Sequence, residues 1–267
     1  MDFLSFAFMR NALLAILISA PIFALLGTVV VNKKMAFFSD AIGHSALCGI
    51  AAGVIFGFTD RSVSMVIFAI LFSILLNLVK DRTTYGADTI ISVFASVAMS
   101  LGLVLLSLGG NFNKYSTYLI GDILSITSSE IVSLLICLIL VIVFWVFAYN
   151  RLSSDNLNRS LARSKGINGK LYDYIFSAFL AVVIMFSIRW IGILLINSLI
   201  ILPAASSRNI SHNTRSYHIW SVVFSLISGI SGLLISYYQG VPSGPMIVLI
   251  LGCTFFITFI VHSLRTD

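Results

Sequence analysis

The chain has 267 residues, of which 59% are hydrophobic and only 10% charged; with a mean hydropathy of +1.06 it falls outside the range of soluble domains, and lipid is its main solvent. No polar stretch exceeds about 20 residues, too short for a separate soluble domain of about 50 or more, so residues 1–267 read as one transmembrane domain. The formal net charge of +6 would suit nucleic acid in a soluble protein, but basic residues of membrane proteins collect in cytoplasmic loops, and their placement here is topological.

At about 20 apolar residues per crossing, spans are predicted at 11–31, 36–57, 62–79, 86–108, 130–149, 171–188, 190–207, 217–238 and 243–263. The expected fold class is all-α, a polytopic membrane helical bundle with eight to nine transmembrane helices. The first run is too long for the core of a cleaved signal peptide and is followed by Lys33-Lys34, so it reads as a retained span. The seventh is the least distinct, because only Arg189-Trp190 separates it from the sixth and Pro203 interrupts it.

Lys33, Lys34, Lys80, Arg82, Arg151, Arg159, Arg163, Lys165, Lys170, Arg208, Arg215 and Arg265 fall on one side of this layout, and only Arg10, Arg61, Lys114 and Arg189 on the other. The first side is therefore cytoplasmic and the amino terminus outside. In the second span Gly49, Gly53 and Gly57 form a small-residue ridge for close helix packing, and Ser92, Ser96 and Ser100 in the fourth are read as a similar packing stripe. The short semi-apolar run 118–124 suits an outer-leaflet or re-entrant helix. Thr127-Ser128-Ser129-Glu130 has the form of a capping box, which makes Glu130 a cap rather than a ligand.

The longest polar stretch, 150–170, holds Ser154 as a candidate cap of a short helix whose Leu157 and Leu161 share a face before Gly166 ends it. Such a helix suits docking to a partner, while its charge alone is also that of a topogenic loop. Cys48, Cys137 and Cys253 sit in apolar runs without close spacing and read as free, buried thiols.

The chemistry concentrates in the second span. Asp40 and His44 are four residues apart, so a helix stacks them on one face. Counted from Met35 at 1.5 Å per residue, they lie about 7–8 Å and about 13–14 Å inward, where an ionisable group costs about 2.5–3.5 kcal/mol and points to function. The two can also merely satisfy each other. Carboxylate oxygen with imidazole nitrogen suits zinc, manganese or ferrous iron. Two ligands are too few for a closed site, and a two-fold dimer would supply a second Asp40 and His44. His44 binds metal only when neutral, so occupancy should fall as the imidazole protonates. Cys48, one turn further, reads as packing, and His212, His218 and His262 as ordinary polar residues. No P-loop and no H-E-x-x-H motif occurs, so catalysis within this polypeptide is not expected.

Five ordered pieces, 32–44 (Asn-Lys-Lys-Met-Ala-Phe-Phe-Ser-Asp-Ala-Ile-Gly-His), 118–124 (Tyr-Leu-Ile-Gly-Asp-Ile-Leu), 162–166 (Ala-Arg-Ser-Lys-Gly), 199–205 (Leu-Ile-Ile-Leu-Pro-Ala-Ala) and 241–245 (Val-Pro-Ser-Gly-Pro), give the chain a resemblance to the permease subunits of bacterial zinc/manganese/iron ABC importers. Ser39 stands where the family usually has Gly before the Asp, and Cys48 is unusual for it. The resemblance implies a multi-pass plasma-membrane permease that forms a homodimer, docks two cytoplasmic ATPase subunits and receives metal from an extracellular metal-binding protein. It implies Asp40 and His44 as the metal-contacting pair and a coupling segment within 153–170, with Leu157, Leu161, Ala162, Arg163 and Gly166 as its residues. The transported ion would be Zn2+ by preference, with Mn2+ or Fe2+ as alternatives, and no cofactor is expected to be permanently bound. A secondary metal transporter driven by an ion gradient is the competing reading.

Overall fold

The computed structural model describes residues 5–58, 60–108, 123–157, 164–166 and 168–266. Its helices are α1 (Ala7–Asn32), α2 (Ala36–Ile55), α3 (Arg61–Arg82), α4 (Ala87–Leu108), α5 (Ser128–Leu157), α6 (Gly169–Ile191), α7 (Ile193–Ile210), α8 (Thr214–Gln239) and α9 (Ser243–Thr266), with a 3₁₀ turn at Ile123–Ser125. Among the described residues there is no strand, and 9 helices are long and apolar enough to cross a membrane. The bundle is all-α, with the upper of the two expected span counts.

The seventh span is a helix of its own. Gly192 alone separates α6 from α7, with φ 83° and ψ 155°, a conformation open essentially only to glycine. Pro203 lies inside α7, since losing one amide donor does not stop a helix whose neighbours can satisfy the freed carbonyl. A Gly192→Ala protein is expected to lose about 1–3 kcal/mol of stability, read as a lowered unfolding midpoint in detergent.

Contacts sort the chain into two compact units, one comprising 1–34, 120–144 and 190–267, the other 35–119 and 145–189. In the first, α1 and α8 run antiparallel in a fixed register. Tyr217 Oη donates to the Thr28 carbonyl at 3.4 Å, Ser221 Oγ to Ala24 at 3.1 Å and Ser225 Oγ to Ala20 at 3.3 Å. Apolar side chains gain nothing by leaving lipid for one another, so small residues and interhelical hydrogen bonds carry this packing. Asn11 Nδ2 ties α1 to the Ile126 carbonyl beyond the 3₁₀ turn at 3.2 Å.

In the second unit α3 is bonded to helices on both sides. Ser64 Oγ donates to the Gly49 carbonyl of α2 at 2.7 Å, and buried Asn77 Nδ2 donates to Ser177 Oγ of α6 at 2.5 Å and to its own helix's Ser73 carbonyl at 3.0 Å. At the basic end of α3, Asp81 Oδ2 lies 3.3 Å from Lys170 Nζ, and Arg151 of α5 donates to the Tyr172 hydroxyl.

Several expectations change in detail. Glu130 caps α5, its Oε2 accepting from the Thr127 amide at 2.9 Å and hydroxyl at 2.8 Å. Ser154 does not begin a new helix: α5 runs through it to Leu157, and its hydroxyl bonds back to the Asn150 carbonyl at 2.7 Å. The second span ends at Ile55, which leaves Gly57 (φ 69°) in the following turn and outside the glycine ridge. Cys48 and Cys137 are buried as expected, but Cys253 is exposed, on the outward face of α9. Most of the 118–124 run lies outside the described residues, of which Ile123 and Leu124 enter the 3₁₀ turn.

Candidate metal site

The site is built on α2 and α4. Within α2, Ser39 Oγ and Ser45 Oγ bond back to the carbonyls of Ala36 and Ile42, at 3.0 and 2.8 Å, and both side chains are buried. Asp40 and His44 lie on another side of the helix, with side chains 47% and 33% exposed. That two ionisable groups of a membrane span are open to this extent, at a depth where lipid contact costs about 2.5–3.5 kcal/mol each, requires protein or water against this face.

What the structure adds is the wall opposite. Asp40 and His44 share a cleft of about 310 Å³ with Phe37 and with Ser92, Ser96 and Met99 of α4. The register follows from Gly102. A Cβ there would lie 2.6 Å from the Cys48 amide nitrogen and 2.8 Å from the Leu47 carbonyl carbon, so α4 crosses α2 backbone against backbone. Residues 92–99 beside 40–44, then 102 beside 47–48, advance together along both chains, and the helices run parallel.

His44 Nε2 is 3.3 Å from Asp40 Oδ1, and His44 Nδ1 is buried with no hydrogen-bond partner among the described residues. Two ligand atoms of a tetrahedral ion, each about 2.0–2.1 Å from it, stand about 3.3–3.4 Å apart, so the pair already has the bite of a chelate. The same contact is a hydrogen bond in which the imidazole Nε2–H donates to the Asp40 carboxylate. Among the described residues no group of three or more His, Cys, Asp or Glu side chains forms a metal cluster. Among the described residues, Asp40 and His44 are thus a pair of donors short of a complete shell.

The sequence-derived pair is therefore brought together as expected, and Cys48, 8% exposed, is held in the α2–α4 contact and does not line the cleft. Among the described residues the serine stripe lies on the exposed side of α4. Ser92, Ser96 and Ser100 are exposed, while α4 packs with Ile90, Ile91, Ala98, Gly102 and Leu106. A second cleft of about 350 Å³ runs from Ser96 past Ser100 to Val104. Met99 was missed, since nothing in its flanking residues marks it; only the register set by Gly102 does. His218 lies beside the Tyr217 ring at 5.6 Å, far in sequence from the pair and in the other compact unit.

Of the residues expected to couple to a partner, Leu161, Ala162 and Arg163 lie outside the described residues, Leu157 is the last residue of α5, and Gly166 sits in a turn with φ 73°.

The comparisons agree on one class. The model of the ABC 3 transport family matches residues 5–262. The high-affinity zinc uptake system membrane protein ZnuB of Haemophilus influenzae is 32% identical over 245 residues, 91% of this chain and 94% of that one. The manganese transport system membrane protein MntC of Listeria monocytogenes is 24% identical over 257 residues, 96% and 91% of the two chains. The structure of PsaBC from Streptococcus pneumoniae in complex with Fab superposes with a TM-score of 0.84 over 97% of this chain and 93% of that one; at 24% identity this is a likeness of fold.

Proposed function

The chain belongs to the ABC 3 transport family and is a multi-pass membrane permease of an ABC transporter; from that premise we propose that it moves a divalent transition metal ion into the cytoplasm, driven by ATP hydrolysed on separate subunits. Zinc is the favoured cargo, with manganese or ferrous iron as alternatives. The observation that carries the reading is the Asp40–His44 pair, 3.3 Å apart on α2 and open to a cleft.

Two protomers each contribute Asp40 and His44, giving a four-ligand shell that neither completes alone. The same pairing covers the ionisable face that lipid cannot cover. Few ligands make the ion easy to release, as passage requires. The ion arrives from an extracellular metal-binding protein, and the whole chain acts as one permease domain.

ATPase subunits dock at 153–170 through Leu157, Leu161, Ala162, Arg163 and Gly166. The Arg151–Tyr172 bond and the Asp81–Lys170 pair tie the helices flanking this segment, and α3 continues the path to α2 through Ser64. Asp40, His44 and the helices flanking 153–170 at Arg151 and Tyr172 belong to one compact unit, which supports this reading.

Reconstitution in proteoliposomes with the cognate ATPase and binding protein tests the reading, with zinc, manganese and iron in competition. Uptake is expected only with ATP and the ATPase present, and zinc is expected to compete best. Uptake driven by an ion gradient without the ATPase would overturn it in favour of a secondary transporter.

A further inference from the structure

We propose that Met99 sets the metal preference of the permease, as a soft sulfur donor on the α4 wall of the cleft that passing zinc contacts and manganese does not. The inference rests on the reading of Asp40 and His44 as the cargo site. Met99 lines the same cleft as that pair, and its thioether is a neutral sulfur donor.

Its place along the path follows from the register. Gly102 lies on Leu47 and Cys48, α2 and α4 run parallel, and Met99 stands about 4.5 Å further along α4 than Ser96. With Gly102 beside Leu47 and Cys48 and both helices rising equally per residue, Met99 stands level with His44 across the cleft, so its sulfur and the imidazole meet the same passing ion. Cys48, the other sulfur of the region, is buried and does not line the cleft.

The chemistry of the wall divides by softness. The hydroxyls of Ser92 and Ser96 are hard oxygens that hold the water shell of any of the three candidate ions and separate none of them. Carboxylate, carbonyl and water suit manganese, whereas thioether sulfur favours softer ions such as zinc. Sulfur is also a weak neutral ligand here, which lets the ion leave again. Leucine fills nearly the same volume, so Met99→Leu removes the donor and keeps the packing.

The test is uptake of zinc, cadmium and manganese, each alone, by the permease–ATPase complex in proteoliposomes, wild type against Met99→Leu. Zinc and cadmium uptake is expected to fall about tenfold relative to manganese. A parallel fall for all three metals would mark Met99 as a packing residue, and an unchanged ratio would overturn the proposal equally. Asp40→Ala is measured alongside. If it transports every metal at the wild-type rate, the cargo site itself is misassigned; if it is inactive while Met99→Leu keeps the wild-type ratio, Met99 alone is.

Discussion

Asp40→Ala and His44→Ala are each expected to cut metal uptake by about 100-fold while the permease still reaches the membrane and assembles with its ATPase. Loss of an essential ligand removes half of a protomer's share of the shell, and changes even to groups supporting metal ligands cost about 10–100-fold. Stability separates this from a purely structural pair. If the 3.3 Å contact served only to satisfy two polar groups, removing one partner would strand the other in a span and lower the unfolding midpoint. A cargo pair is held against stability, so Asp40→Asn, which removes the charge and keeps a hydrogen-bonding group, is expected to melt at or above the wild-type temperature while uptake is lost. Thermal unfolding in detergent beside uptake in proteoliposomes reads both. A protein that melts lower and still transports at the wild-type rate would return the pair to a structural role.

The helices were legible because span length is set by the bilayer and the chain's apolar runs keep to it. Boundaries were legible where chemistry is local. Glu130 caps α5 from three residues away, and the Asp40–His44 stack needs only the pitch of one helix. What could not be read depends on contacts between helices. Ser154 has the residue type of a cap, but whether its hydroxyl serves a new amide or the Asn150 carbonyl depends on whether α5 has already ended. Ser92, Ser96 and Ser100 form the same small-residue stripe whether they face a helix or a cleft, and only the seating of Gly102 on α2 decides between them. That contact also moved Met99 from an unremarked apolar residue to the wall of the site. The outward face of Cys253 has a similar cause, since an apolar run reads alike whether protein or lipid surrounds it.

Gly102→Leu should be as damaging as loss of a ligand, through a different route. The atoms nearest an added Cβ, at 2.6 and 2.8 Å, are the backbone nitrogen of Cys48 and carbonyl carbon of Leu47, and backbone inside a helix cannot turn aside as a long side chain can. The α4 helix must therefore back away from α2, and overpacking of this kind costs about 1–3 kcal/mol or more. Small residues at such crossings are also what lets membrane helices approach at all. Because Ser96 and Met99 lie within two turns of Gly102 on α4, the displacement opens the wall opposite His44, and uptake should fall further than stability. Gly102→Ala should show the same order of effects at smaller size. The control is Gly252→Ala on α9, where an added Cβ meets nothing within 4 Å and replacing a mid-helix glycine should gain about 0.5–1 kcal/mol. Wild-type yield, melting and uptake in Gly102→Leu would mean that α2 and α4 do not meet backbone to backbone, and the register that puts Ser92, Ser96 and Met99 in the cleft would fall with it.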